Sequence, residues 1–486
     1  MKTFISGALC MLFTSTAFSQ NCHEVVGYYP NWQWYDRNKL VNPQSIDYSK
    51  YTILNYAFMK PEADGSISLF DPWADENLLL GQPDWQNGGY IPNTSLIDNA
   101  HSNGVKVLPS IGGWTLSNNF PAIAADPVKR NNFAQACANL ITTYGFDGID
   151  LDWEYPGYAP HSGTPQDFQN FTLLLQAVRS ALNAIDNNLL LTAAVGASAA
   201  NMSNVDWPAV SNYLDIINLM SYDFFGTWDA TTNHNSPLLA PVQGDPEFNI
   251  ASSVDRLVNT YMVPADKITV GVPFYGRSAI TNGAPGLHVP STGAADLVTF
   301  AADEGTPLYY NIMLAANQFT AYWDATAKVP YMLGNSINTF LSYDNPESIE
   351  LKAQYIIDEG LRGAIIWEIT GDYIETTPGS GVIASTPLVD KINDVFCNYT
   401  PGGGTASLDE LAQDVQVYPN PTNGLVHLQS KIQPERAEVR DMQGKLMREY
   451  PSPLNQLDLG GLSAGSFLLI LQFPDGHENY IAIHKL

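Results

Sequence analysis

The chain has 486 residues, 45% of them hydrophobic, which is enough to bury a large core and build more than one domain. Its 22 Lys and Arg stand against 49 Asp and Glu, a formal net charge of −27. That balance excludes a nucleic-acid partner, since neutralising phosphates needs a basic patch, and it suits solubility and an uncharged substrate.

Residues 1–19 read as a secretory signal peptide, with Lys2, an apolar stretch over 4–18, and Ala17-Phe18-Ser19 as a small-x-small cleavage site. The stretch is too short and too interrupted by Ser, Thr and Gly to cross a bilayer, and no later segment is long enough. The mature chain is expected to lack a transmembrane segment and to be secreted, either extracellular or attached to the cell surface. Cys10 leaves with the leader. Cys22 and Cys397 flank the large domain and can bridge in an oxidising compartment. Cys137 shares a helical stripe with Phe133, Leu140, Ile141 and Tyr144 and is expected in the core.

Short apolar runs then recur at 25–29, 53–58, 105–111, 149–153, 189–195, 216–220, 268–272 and 364–367, each followed by a turn signal and a helical pattern. Eight buried strands alternating with helices predict an α/β fold, a (β/α)8 TIM barrel over residues 20–398. Its active site belongs at the C-terminal strand ends. There Tyr28, Phe58, Gly112-Gly113-Trp114, Glu154, Tyr222-Asp223, Tyr275 and Trp367-Glu368 collect. The gap between the seventh and eighth runs is too long for one helix, and residues 278–345 read as an α+β insertion over the active face. A Gly- and Pro-rich linker over 399–414 leads to short strands at 416–418, 425–429, 437–440, 466–473 and 479–484, which predict a small C-terminal β-sandwich over 415–486.

The chemistry gathers in Asp147-Gly-Ile-Asp150-Leu-Asp152-Trp-Glu154-Tyr155. On a strand, the period of two puts Asp150, Asp152 and Glu154 on one face. Their mutual repulsion is expected to raise the pKa of one member and leave the others ionised. A carboxylic acid kept protonated near neutrality is what glycosidic cleavage needs, because the leaving oxygen must take a proton. The plainer readings are a solvated edge strand, which Leu151 and Trp153 oppose, and a calcium loop, which lacks the Gly and the downstream Glu. His23, His101 and His161 are scattered without ligand spacing, so neither metal nor other cofactor is expected.

With these residues in place, the barrel resembles the family 18 glycoside hydrolases, the retaining chitinases. Asp147, Asp150, Asp152 and Glu154 form the signature Asp-x-x-Asp-x-Asp-x-Glu. Ser110-Ile-Gly-Gly-Trp114, Met220-Ser-Tyr-Asp223, Gly271-Val-Pro-Phe-Tyr-Gly-Arg277 and Trp367 are similar to the motifs of other strands. The resemblance implies hydrolysis of β-1,4 bonds between N-acetylglucosamine units of chitin or chitooligosaccharides, with retention. In it Glu154 acts as acid and then base, and the substrate's acetamide oxygen closes to an oxazolinium ion. Asp152 accepts the acetamide N–H, Tyr222 aligns its carbonyl, and Asp150 shares a proton with Asp152. Asp147 is expected to be structural. Trp367 would floor the cleft, Trp114 and Trp228 would wall its reducing-end side and Trp32 the other side. Core packing is the alternative for each tryptophan, and weighs equally for Trp32 and Trp323. Asp223 and Arg277 would bind sugar hydroxyls or orient the acids, unless they form a structural salt bridge. Tyr28, Phe58, Met220 and Tyr275 complete the expected lining.

The same family implies cis peptide bonds at Ala57-Phe58, Glu154-Tyr155 and Trp367-Glu368. An endo-β-N-acetylglucosaminidase acting on N-glycans would use the same acid and the same acetamide, though the insertion and the Met220–Asp223 motif argue against it. A non-catalytic chitin-binding lectin of the family typically loses the acid at the position of Glu154, which is present here along with Asp152 and Tyr222. In the tail, Val417-Tyr-Pro-Asn-Pro-Thr-Asn-Gly424, Leu462-Ser-Ala-Gly465 and a terminal strand ending in Lys485-Leu486 resemble the type IX secretion sorting domain of Bacteroidota. That implies a secretion machinery as partner, and the enzyme itself is expected to be a monomer. A carbohydrate-binding sandwich is the alternative for the tail, but it would need an aromatic platform.

Overall fold

The structure, a computed structural model, describes residues 23–399, 415–418, 422–430, 433–441, 445–452, 454–463, 465–473 and 478–485. The expected signal peptide over 1–19, Cys22 and residues 400–414 of the expected linker lie outside the described residues. The chain divides into two compact units after Tyr399.

In the first unit, eight strands run parallel. They are β1 (Glu24–Pro30), β2 (Ile53–Pro61), β3 (Lys106–Gly112), β4 (Gly148–Asp152), β5 (Leu190–Gly196), β6 (Ile216–Met220), β7 (Ile268–Pro273) and β8 (Gly363–Trp367). Each pairs with the next, and β8 pairs with β1 to close the barrel. The strands are mostly apolar because both faces are buried, with a few buried polar residues such as Ser110, Asp150, Thr192 and Asn218 among them. Val26, Ile53, Leu108, Ala194, Ile216 and Ile365 fill the interior, while their neighbours Val25, Leu54, Val107, Ala193, Ile217 and Ile366 pack under the helices.

Local signals set the helix ends. Helix Pro127–Tyr144 starts with Pro at its first position, with Asp126 Oδ1 accepting from Val128 N at 2.7 Å, and stops at the left-handed Gly145. Cys137 faces the core from this helix, fully buried.

Between β7 and β8 the chain leaves the barrel as an α+β insertion. Arg277–Ile280 pairs with Thr339–Ser342, which pairs with Val329–Gly334 and that with Phe319–Asp324, all antiparallel, beside helix Tyr309–Ala315. Helix Pro346–Asp358 leads back to β8 and carries Lys352, wholly buried. Lys352 Nζ donates to the Asp344 carboxylate at 2.7 Å and to Ser236 Oγ at 3.0 Å, and Ser236 Oγ donates to Ser221 O at 2.7 Å. A buried cation thus braces the backbone just beyond β6, immediately before Tyr222. Lys352→Met leaves Asp344 buried without its cation and is expected to lose ~3–5 kcal/mol of stability. Urea denaturation reads this as a lower midpoint; an unchanged midpoint would deny the brace.

The second unit consists of two antiparallel sheets. One holds Val415–Tyr418, Leu425–Ser430 and Gln456–Asp458; the other holds Leu446–Pro451, Arg436–Asp441, Gly465–Gln472 and Glu478–Lys485. Val426, Leu457, Val439, Phe467, Leu469 and Ile483 form its core. Phe473 is buried as well and Tyr450 is half-buried, so these aromatics build the core rather than a stacking platform. Two strands, Leu446–Pro451 and Gln456–Asp458, are additional to the sequence expectation. Leu446 and Met447 are exposed and the segment lacks apolar alternation; backbone pairing with Arg436–Asp441 makes it a strand.

Candidate active site

β4 points Asp150 and Asp152 into the barrel, and Glu154 follows two residues beyond the strand. Asp150 is fully buried among donors from four strands. Oδ2 accepts from Tyr28 Oη and Ser110 Oγ, both at 2.8 Å; Oδ1 accepts from Thr192 Oγ1 at 2.5 Å and Asn218 Nδ2 at 3.1 Å. Asp152 is buried one layer higher, and its Oδ1 has no hydrogen-bond partner. Glu154 N donates to Ser117 Oγ at 2.9 Å. Asp150 already accepts four donors, which favour its ionised form, and no hydrogen bond joins the two carboxylates.

The glycines of the β3 motif permit this crowding. Gly112 has φ +115, and a Cβ there would lie 2.2 Å from Asp152 O; a Cβ on Gly113 would lie 2.6 Å from the Phe58 ring. The peptide bonds Ala57-Phe58, Glu154-Tyr155 and Trp367-Glu368 are all cis.

All three carboxyls are pushed upward. Burial moves Glu154 to about 7, and the Asp223 charge adds to the rise; hydrogen bonding from the Tyr155 side chain and the Trp114 backbone opposes it. Burial also raises Asp152 well above the usual carboxylate range, with the charges of Glu154 and Asp150 behind it. Asp150 is raised by burial against the pull of its four donors. Desolvation therefore leads, and the repulsion expected from the sequence is a secondary cause.

The acids open into a cleft of about 1140 Å³. Trp367 is its half-buried floor, with Phe58 stacked on it at 5.6 Å, Tyr28 at 5.5 Å and Trp32 at 6.3 Å. Trp32, Trp114 and Trp228 line the walls, each between 40% and 58% exposed, so core packing does not account for them. Met220, Tyr222, Asp223 and Arg277 also face the cleft. Asp223 Oδ1 accepts from Tyr275 Oη and from Arg277 Nε, each at 2.6 Å, and the Arg277 guanidinium lies 4.7 Å from the Trp228 ring centre. Arg277 is therefore an ion-pair partner and a wall residue together, whereas Tyr275 is buried behind Asp223.

Asp147 lies at the far end of β4, where its Oδ2 accepts from Val107 N at 2.7 Å and meets His101 Nε2 at 2.8 Å. Trp323 sits on the insertion strand Phe319–Asp324, away from the cleft lining. Phe70, Tyr158, Asn201 and Phe248 line the cleft without having been expected from the sequence. Phe70, Tyr158 and Phe248 come from loops and Asn201 from the short helix Ala199–Met202, none of them in a motif, and only folding brings them to the cleft.

A carboxylic acid poised near neutrality above an aromatic floor, at the C-terminal face of a barrel, defines a glycoside hydrolase. Residues 24–372 match the family model "Glycosyl hydrolases family 18", and the chain belongs to that family. Residues 416–480 match "Secretion system C-terminal sorting domain". The chain is 35% identical to Chitinase A1 of Niallia circulans over 74% of its own length and 58% of that protein. It is 30% identical to Chitinase ChiA of Flavobacterium johnsoniae over 86% of its length and 31% of that protein. It thus spans about half and about a third of these two relatives. Among solved structures, chitinase ChiA74 from Bacillus thuringiensis matches with a TM-score of 0.67 at 29% identity, covering 95% of this chain and 84% of that one.

Proposed function

We propose that this chain is a secreted chitinase that cleaves β-1,4 bonds between N-acetylglucosamine units with retention. The observation that carries this reading is the buried, unpartnered Oδ1 of Asp152 beside a carboxylic acid raised to about 7. A buried acceptor left open costs free energy until a donor fills it, and a 2-acetamido N–H is such a donor. Glu154 gives its proton to the glycosidic oxygen as the bond to the anomeric carbon breaks. The acetamide oxygen closes on that carbon, an intramolecular step in place of a collision. Asp152 stabilises the positive charge of the oxazolinium ion, and the Tyr222 hydroxyl orients the acetamide. Water then opens the ring as Glu154 takes back a proton, and the configuration is retained.

Relatives support the substrate. A chitinase catalytic domain of Ostrinia furnacalis, 29% identical with a TM-score of 0.68, was solved with a chitooligosaccharide. The sorting-domain match supports export through a dedicated secretion machinery, extracellular or on the cell surface. Among the described residues, no helix is long and apolar enough to cross a membrane.

The test is hydrolysis of N-acetylglucosamine hexamer, with the product anomers followed by NMR in the first minutes. The β-anomer is expected first. Initial α-anomer would reject the substrate-assisted mechanism, and an intact hexamer would reject the substrate.

A further inference from the structure

Trp114 walls the cleft and Glu154 supplies the proton, yet a third residue, itself outside the lining, touches both. His161 sits on the short 3-10 turn Ala159–His161 after β4. Its Nδ1 lies 2.7 Å from the backbone oxygen of Glu154. A carbonyl only accepts, so Nδ1 carries the proton and donates. The same ring meets Trp114 edge-on, with centroids 4.7 Å apart, and Tyr158 packs on it at 5.2 Å and 86°. The circuit closes through the Trp114 backbone, which hydrogen-bonds the Glu154 carboxyl.

The supporting loop is tied at several points. The buried Asp167 accepts from Gly157 N at 3.2 Å and Thr164 N at 2.9 Å, and Tyr158 O accepts from both His161 N and Gly163 N at 3.0 Å. The ring is therefore held by a loop with its own internal ties in addition to its contacts with Glu154 and Trp114.

We infer that His161 is a positioning residue with two separable arms. Its N–H sets the backbone of the proton donor, and its ring braces the tryptophan on which the leaving sugars stack. The inference rests on the chitinase reading for which side of the cleft Trp114 occupies. The two arms predict different losses. His161→Asn keeps an amide N–H near the place of Nδ1 but removes the ring. His161→Phe keeps a ring against Trp114 but removes the donor. A nitrophenyl chitobioside needs little protonation, since its leaving group is already acidic, and it barely reaches Trp114. N-acetylglucosamine hexamer needs both.

With the hexamer, His161→Asn is expected to raise KM about two- to tenfold with kcat held, and His161→Phe to lower kcat by a similar factor with KM held. On the nitrophenyl substrate, kcat/KM reports bond breaking, and both variants are expected to stay within about twofold of the natural chain. Equal losses on both substrates, or no loss on either, would overturn the inference; thermal melts of both variants separate misfolding from mispositioning. If the natural chain cleaves neither substrate, the chitinase reading is what fails. The bracing is then read by tryptophan fluorescence titration with the hexamer. His161→Asn still has to weaken binding there and His161→Phe to keep it, and any other order rejects the proposal.

Discussion

Glu154→Gln is expected to lower kcat on N-acetylglucosamine hexamer by about 10²–10⁴-fold while the hexamer still binds, because general acid catalysis has that magnitude. The substitution is nearly isosteric, so the aromatic floor and walls keep their shape, and what disappears is the proton. The pH profile carries the sharper reading. Burial lifts Glu154 to about 7, and the protonated form is the one that can give a proton to the leaving oxygen. The kcat/KM of the natural chain is therefore expected to hold through mildly acidic pH and fall above about 7, since this ratio reports groups in the free enzyme. In Glu154→Gln that alkaline fall should vanish from the residual rate. Retention of more than about a tenth of kcat would remove Glu154 from the acid's role.

Asp152→Asn is the second large effect. The amide keeps the shape and still offers an oxygen to an acetamide N–H, but it cannot supply a negative charge where positive charge develops. Preorganised groups of this kind are worth about 10²–10³ in kcat when one is removed. Hexamer affinity, measured calorimetrically, should change little, because the aromatic walls are untouched. Glu154→Gln and Asp152→Asn combined should lose far less than the product of their separate losses, as residues acting in one step do not add. A fall smaller than about tenfold in Asp152→Asn, or strict additivity in the pair, would assign Asp152 to structure instead.

Much of this architecture was legible from periodicity. Eight apolar runs correspond to the eight barrel strands within a residue or two at most ends, because a strand buried on both faces leaves a nearly continuous hydrophobic signature. The strand Leu446–Pro451 leaves no such signature, since its side chains are half wet and only the neighbouring backbone selects its conformation. The polar residues inside the runs were legible in principle. Ser110, Thr192 and Asn218 interrupt apolar strands at inward-facing positions, and all three prove to be donors to Asp150.

What the sequence determined by itself was which groups are present and which strand carries them, since the alternation of Asp150, Asp152 and Glu154 is a local property of a few residues. What only the tertiary structure decided was their environment. Desolvation and most hydrogen-bond partners come from distant segments: Tyr28, Ser110, Thr192 and Asn218 converge on Asp150 from four different strands, and Ser117 accepts from the Glu154 backbone N–H. A pKa is set by what surrounds a charge in space, and order along the chain does not encode that directly.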